Sequence, residues 1–158
     1  MNNDNERKST RIAFVEALEA LMAEDPRVVM VSADSVAVFR AGRLIEKYPD
    51  RVVEVGIAEQ NAVMAAAGLA SAGMIPYVCT YAGFSVMRAC EQMRTFVAYP
   101  HLNVKFFGAN AGVFSGEREG VTHQFFEDLG ILRAVAGFMV IAPADAAQTF
   151  EAVKAARD

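Results

Sequence analysis

The chain has 158 residues, of which 54% are hydrophobic and 22% charged, and this composition excludes a disordered segment because it can fill a core. The formal net charge of −4, without a cluster of Lys or Arg, argues against a nucleic-acid-binding face. No apolar run approaches the roughly 20 residues that span a bilayer, and the polar start lacks the apolar centre of a signal peptide. We therefore expect a cytoplasmic protein with no membrane or nucleic-acid partner.

The hydrophobic pattern predicts alternating helices and strands. Apolar residues from Phe14 to Met22 recur at helical spacing after a cap at Ser9 or Thr10, so a helix opens the chain and ends near Asp25. The strands are continuous rather than alternating apolar runs, which indicates that both of their faces are covered. In chain order the further elements are a strand at 28–31, a helix at 36–47, a strand at 51–55, a helix at 59–72, a strand at 75–80, a helix at 84–98, a strand at 104–108, a loop at 112–120, a short helix at 127–133, a strand at 138–141 and a last helix capped by Asp145 and Gln148.

This order of elements predicts an α/β fold. Strand and helix alternate about five times, as in an open parallel sheet of about five to six strands with helices on both faces. We expect one domain over residues 1–158, with residues 1–8 flexible. In open parallel sheets, ligands bind beyond the carboxyl ends of the strands, so the functional residues are expected in the loops that follow them.

Common catalytic and metal-binding signatures are missing from those loops. The sequence has no GxGxxG, GxxxxGK[ST], HExxH or GxSxG motif, which removes the backbone cradles and zinc pairs that those motifs provide. Cys79 and Cys90 lie in apolar surroundings without a CxxC pair or a neighbouring histidine. We expect reduced cysteines and no metal site in this chain.

Four residues after strand ends are candidates for chemistry, and each also has a purely structural explanation. Glu59 begins a helix made almost wholly of Ala, Gly, Met and Val; it either complements the helix dipole or lies poorly solvated, where it can share a proton with a ligand nitrogen. Tyr81 and Phe84 are either core residues or a surface on which a ring-shaped ligand packs. His123 is either a surface residue or a proton-transfer group.

Several motifs, spaced in order along the chain, resemble one family. The segment YPDRVVEVGIAEQNAVMAAAGLASAGMIPYVCTYAGF is followed by RACEQMR, YPHLNVKFFG, GVTHQFFEDLGILRA and VIAPADA. Together they are similar to the pyrimidine-binding domain of the transketolase family, and most similar to the separately encoded C-terminal subunit of split transketolases. The resemblance runs from about Thr10 to the end.

The resemblance implies a thiamine-diphosphate-binding fold of the pyrimidine type, and thiamine diphosphate as the cofactor. In this family the glutamate at the position of Glu59 hydrogen-bonds N1′ of the aminopyrimidine and promotes loss of the thiazolium C2 proton. Tyr81 and Phe84 match the family's aromatic pocket for the pyrimidine ring, and Asp34 matches an acidic residue near the cofactor. His123 matches a histidine near the hydroxyl groups of the donor sugar.

Departures from the family pattern affect the substrate. Arg11 matches an arginine that meets the sugar phosphate, but Asn110 replaces a phosphate-contacting histidine and Val38 a serine. The motif GEREGVTHQ is one residue longer than its family counterpart, and Glu119 stands for an aspartate that contacts a substrate hydroxyl. These changes bring a standard pentose phosphate substrate into question.

The resemblance also implies a partner. The family's diphosphate-binding domain, which holds Mg²⁺, and its C-terminal domain are absent from these 158 residues, and the cofactor lies between a diphosphate domain and a pyrimidine domain of different chains. We therefore expect a diphosphate-binding subunit as partner, in a homodimer or heterotetramer. The hydrophobic fraction of 54% is high for a monomer of this size, which is consistent with such a partner surface.

Three functions remain open from the sequence. The first is a transketolase-like transferase of two-carbon ketol units. The second is another thiamine enzyme, either a 1-deoxyxylulose-5-phosphate synthase or the beta subunit of a 2-oxoacid dehydrogenase. The third is a non-catalytic, truncated interaction module.

Overall fold

The computed structural model describes residues 8–113 and 119–158. Residues 1–7 of the amino-terminal segment expected to be flexible, and residues 114–118 of the predicted loop 112–120, lie outside the described residues. The helices are α1 Thr10–Glu24, α2 Val36–Phe39, α3 Gly42–Lys47, α4 Glu59–Ser71, α5 Cys90–Gln92, α6 Asp128–Ala134 and α7 Ala146–Ala155. The strands are β1 Val28–Ser32, β2 Val52–Glu54, β3 Ile75–Tyr81 and β4 Lys105–Ala109.

The four strands form one parallel sheet in the order β2-β1-β3-β4. One apolar cluster joins β1 and β3 to α1 and to Val153 of α7, and another joins β1 and β3 to α4. A third cluster joins α4 to the helical segment 84–98, which forms an outer layer. The predicted α/β class, with a parallel sheet covered by helices on both faces, is therefore confirmed.

The sheet has fewer strands than predicted. Residues 138–141 form no strand within the described part of the chain, so that prediction is wrong. Met139 and Ile141 are 85% and 53% exposed, while the Phe138 ring packs against Phe106 with 5.9 Å between centroids. Side-chain packing rather than a backbone ladder holds this segment beside the sheet.

Two predicted helices have local irregularities. The helix predicted at 36–47 is divided into α2 and α3 because Arg40 adopts a left-handed conformation with φ of +55°. The helix predicted at 84–98 is helical, but Phe84–Arg88 and Met93–Ala98 form wide π-type turns on either side of α5. The π-type turns are frequently found at functional sites.

Both predicted helix caps are present. The Ser9 hydroxyl accepts a hydrogen bond from the Arg11 amide at 3.3 Å and begins α1. The Asp145 carboxylate accepts from the Gln148 amide at 2.8 Å, and the Gln148 side chain accepts from the Ala144 amide at 2.9 Å. These bonds satisfy amide groups that have no partner within the helix.

Candidate functional site

Glu59 begins α4 at the carboxyl end of the sheet. The chain leaves β2 through Gly56, whose φ of +72° suits a residue without Cβ, and three residues later starts the helix. Glu59 is 5% exposed, in the first turn of the helix whose Ala62 and Ala66 pack against the sheet. The predicted poor solvation of this carboxyl group is confirmed.

Arg88 is the partner of Glu59 and was missed by the sequence reasoning. Its Nη1 atom lies 2.7 Å from Oε1 of Glu59, and its guanidinium carbon lies 3.6 Å from the centroid of the Phe84 ring. The side chain of Gln60 donates a hydrogen bond to the Arg88 carbonyl at 3.0 Å. Arg88 thus connects the first turn of α4 to Phe84, although 29 residues separate it from Glu59.

The predicted aromatic residues lie together with the predicted histidine. The ring centroids of Tyr81 and Phe84 are 5.3 Å apart. The imidazole of His123 meets both rings edge-on, at 5.0 Å from Tyr81 and 4.8 Å from Phe84, and Phe125 meets Phe84 at 5.4 Å. Tyr81, Phe84, His123 and Phe125 are called the aromatic cluster below.

Two glycines, Gly83 and Gly108, allow the loop after β3 to approach its neighbours closely because they have no Cβ. A Cβ on Gly83 would lie 1.8 Å from the Phe125 ring, and one on Gly108 would lie 2.7 Å from Cα of Ala82. The backbone of Phe125 pairs with Gly112, so the segment that carries His123 is attached to the loop that follows β4. These contacts hold the segment with His123 against Tyr81 and Phe84.

Asp34 lies at the same end of the sheet, with its side chain exposed. It follows β1 with φ of +50°, and its amide donates to Oε1 of Glu54 at 2.6 Å. The same oxygen accepts from the Gly56 amide at 3.0 Å. Glu54, a second residue that the sequence reasoning missed, therefore links the loops that follow β1 and β2.

The resemblance associates three positions with a substrate phosphate, and they lie in two regions of the structure: Arg11 with Val38, and Asn110. Arg11 is part-buried and its Nη1 atom donates to the Val38 carbonyl at 3.1 Å, so two of these positions are in contact. Asn110 follows β4 with a left-handed φ of +55°. Glu119, proposed to contact a substrate hydroxyl, is exposed next to residues 114–118, which lie outside the described residues. Within the described residues, no hydrogen bond or ion pair joins Arg11 or Glu119 to the aromatic cluster.

The site combines a buried carboxylate, a guanidinium group and an aromatic surface. A flat nitrogen heterocycle can pack on such a surface while a carboxyl group hydrogen-bonds a ring nitrogen.

Residues 8–113 and 119–158 contain no group of three His, Cys, Asp or Glu side chains able to hold a metal ion. Both cysteines are free; Cys79 is buried, and burial raises the pKa of its thiol. None of the helices in the described residues is long and apolar enough to cross a membrane.

Comparison with known proteins identifies the class to which this fold and site belong. The family model of the transketolase pyrimidine-binding domain matches residues 6–158. The chain therefore belongs to the transketolase family, in which it corresponds to the pyrimidine-binding domain.

Individual relatives include subunits of split enzymes. The 6-deoxy-6-sulfo-D-fructose transketolase subunit SqwH of Clostridium sp. (strain MSTE9) is 38% identical over 138 residues, which are 87% of this chain and 42% of that protein. The 1-deoxy-D-xylulose-5-phosphate synthase 1 of Kitasatospora griseola is 41% identical over 143 residues, which are 90% of this chain and 22% of that protein. A solved structure described as a split gene transketolase, inactive beta4 tetramer, has a TM-score of 0.81 at 40% identity and covers 94% of this chain and 48% of its own. The chain thus spans less than half the length of these relatives.

Proposed function

We propose that this chain is the pyrimidine-binding part of a thiamine-diphosphate-dependent, transketolase-like enzyme that transfers a two-carbon ketol unit between sugar substrates. Residues 1–158 would form one pyrimidine-binding domain of a cytoplasmic protein. The observation that carries the proposal is a buried carboxylate, Glu59, joined through Arg88 to an aromatic cluster in a member of this family.

The chemistry of these residues fits an aminopyrimidine ring. Glu59 would hold or release a proton at the ring nitrogen N1′, because a carboxyl group with little solvent exposure exchanges its proton with a direct partner rather than with water. Tyr81 and Phe84 would pack against the ring and orient it, and Asp34 would lie at the edge of the cofactor site. When bound, thiamine diphosphate supplies the electron sink that a two-carbon transfer requires.

The proposed enzyme needs a second subunit. A diphosphate-binding subunit would hold the diphosphate and its Mg²⁺, in an assembly that is a homodimer or heterotetramer. In support, the same end of the molecule exposes large apolar side chains, among them Ile57, Val121 and Phe126. Water-exposed apolar groups of this size next to a site are typical of surfaces that a partner covers.

The substrate would be a sugar other than a standard pentose phosphate. His123 would contact the hydroxyl groups of the donor sugar, with Glu119 and Arg11 further along the substrate. Arg11 keeps a cationic group for an anionic substituent, while Asn110 and Val38 carry no charge. The Clostridium relative is described as acting on a sulfonated sugar, which supports an anionic substrate with a different charged group.

A 1-deoxyxylulose-5-phosphate synthase is a second candidate, favoured by the relative from Kitasatospora griseola. The two candidates differ in the donor, which is a ketose for ketol transfer and pyruvate for the synthase. The chain should be combined with a diphosphate-binding subunit, thiamine diphosphate and Mg²⁺, and assayed in parallel with ketose and aldose pairs and with pyruvate. Release of carbon dioxide from pyruvate without ketol transfer would contradict the first proposal.

Cofactor binding by the same complex tests whether the chain has a non-catalytic role. Replacing Phe84 with Ala removes a ring that contacts both Tyr81 and His123. It should weaken cofactor binding in the complex by about 5- to 150-fold, because base–aromatic packing contributes about 1–3 kcal/mol per ring. Phe96→Ala, which truncates an exposed ring on the outer helical segment, is the matched control. A stable complex without cofactor dependence would support an interaction module instead.

A further inference from the structure

We infer that Arg88 is an internal competitor for the ring-binding surface formed by Glu59 and Phe84, so that a ring ligand binds there only after the guanidinium group has moved away. This inference rests on the proposed function, since it assumes that Glu59 and Phe84 receive an aromatic ring. It assigns a role in affinity to a residue outside the predicted site.

The first observation concerns the polar end of the surface. Oε1 of Glu59 accepts a charge-assisted hydrogen bond from Arg88 at 2.7 Å. While it is the ionised partner of the guanidinium, the carboxylate accepts hydrogen bonds and has no hydrogen to donate to a ring nitrogen. The ion pair and a hydrogen bond donated by Glu59 to a ring therefore compete for the same carboxyl group.

The second observation concerns the apolar end. The guanidinium carbon lies 3.6 Å from the centroid of Phe84, which is the distance of two planar groups in contact. A planar ligand stacked on the same face of Phe84 needs the space that the guanidinium occupies. One side chain thus covers both parts of the surface.

The third observation is that the guanidinium can leave while the backbone stays. The side chain of Arg88 is 44% exposed, whereas that of Glu59 is 6% exposed, so solvent is available to Arg88 only. The Arg88 carbonyl is held by Gln60, which fixes the backbone but not the long side chain. Rotation of the side chain into water therefore opens the surface without unfolding the π-type turn of residues 84–88.

The affinity test uses the full chain with thiamine as the probe, because thiamine carries the aminopyrimidine ring without the diphosphate. Arg88→Met should bind thiamine about tenfold more tightly than the unsubstituted chain in a calorimetric or NMR titration, which corresponds to about 1.4 kcal/mol. Arg88→Lys, which keeps a charge but not a flat group, should give a smaller gain. Arg94→Met, at an exposed position of the same helical segment, should leave the affinity unchanged. Equal affinities for Arg88→Met and the unsubstituted chain, or no binding by Arg88→Met, would overturn the inference.

A second readout begins with the position of Arg88 over Phe84, which does not depend on the proposed function. In the unsubstituted chain, the δ-methylene protons of Arg88 should show an upfield ring-current shift that disappears in Phe84→Leu. Thiamine should return these protons to their ordinary position. Absence of the shift would overturn the inference even if the proposed function is correct. If the shift is present and thiamine releases it, but Glu59→Gln is fully active with the partner subunit, the proposed role of Glu59 in catalysis fails and the competition by Arg88 stands.

Discussion

Gly83 provides a direct test of the packing that assembles the aromatic cluster. A Cβ at this position would lie 1.8–2.0 Å from three carbon atoms of the Phe125 ring, whereas ordinary contacts begin near 3.4 Å. In Gly83→Ala, the ring must therefore retreat by about 1.5 Å or more. Phe125 is buried and in contact with Phe84, so this retreat disturbs the cluster itself.

The magnitude follows from the cost of overpacking. Forcing a methyl group into a filled core destabilises by about 1–3 kcal/mol, and a direct overlap with a ring places Gly83→Ala in the upper half of that range. For a chain of this length, each kcal/mol lowers the melting temperature by about 2–4 °C, so we expect a decrease of roughly 4–12 °C. The stability of this variant should be measured by thermal and urea denaturation.

Gly68→Ala is the matched control, because Gly68 lies within α4 and a Cβ there meets nothing within 4 Å. That variant should be unchanged or more stable by up to about 1 kcal/mol, since Ala favours a helix over Gly. Combining Gly83→Ala with Phe125→Ala should remove most of the penalty of the first substitution and give a coupling of about 1–3 kcal/mol. If Gly83→Ala matches the control in stability, or if its effect adds to that of Phe125→Ala, the packing argument is refuted.

Three further predictions concern stability. Tyr77→Phe removes a buried hydrogen bond to the Val153 carbonyl, 2.9 Å long, and should cost about 1–2 kcal/mol in urea denaturation; an unchanged midpoint would contradict this. Burial lowers the pKa of Lys105 from its ordinary value of 10.5 to about 8. Between about pH 8 and pH 10.5 the unfolded chain therefore binds more protons than the folded chain, so the free energy of unfolding should rise with pH over this range. Lys105→Met should reduce that rise. A pH profile of stability parallel to that of the unsubstituted chain would contradict the assigned role of Lys105. Asp145→Ala removes the cap of α7 and should cost about 1 kcal/mol, whereas Asp50→Ala, at an exposed position, should cost less; equal effects would contradict the capping role.

Much of the fold could be predicted because the signals are local. Helical spacing from Phe14 to Met22 and the cap at Asp145 are properties of neighbouring residues, and both are confirmed. The strand predicted at 138–141 is wrong because apolar composition does not show whether an adjacent strand offers a backbone partner. The break at Arg40 depends on a left-handed residue that no glycine marks. Tertiary context decides such features.

The site was predicted in its members but not in its connections. Glu59, Tyr81, Phe84 and His123 could be found because they follow strand ends and match family motifs, and the structure brings the last three into contact. The pair of Arg88 with Glu59 joins two helical segments 29 residues apart, and a sequence pattern does not show which cation faces a given carboxylate. The only local signal was that Arg88 follows Phe84 by about one helical turn.

We propose that Glu59 acts on the ring of bound thiamine diphosphate. This proposal is tested most directly by the rate of proton exchange at C2 of the thiazolium ring, measured by quenched NMR on the chain combined with a diphosphate-binding subunit and Mg²⁺. Glu59→Gln should slow the exchange by about 10²–10⁴-fold, the range for loss of a positioned acid–base group, while Glu46→Gln, at an exposed position, should leave it unchanged. An exchange rate in Glu59→Gln equal to that of the Glu46→Gln control would contradict the account.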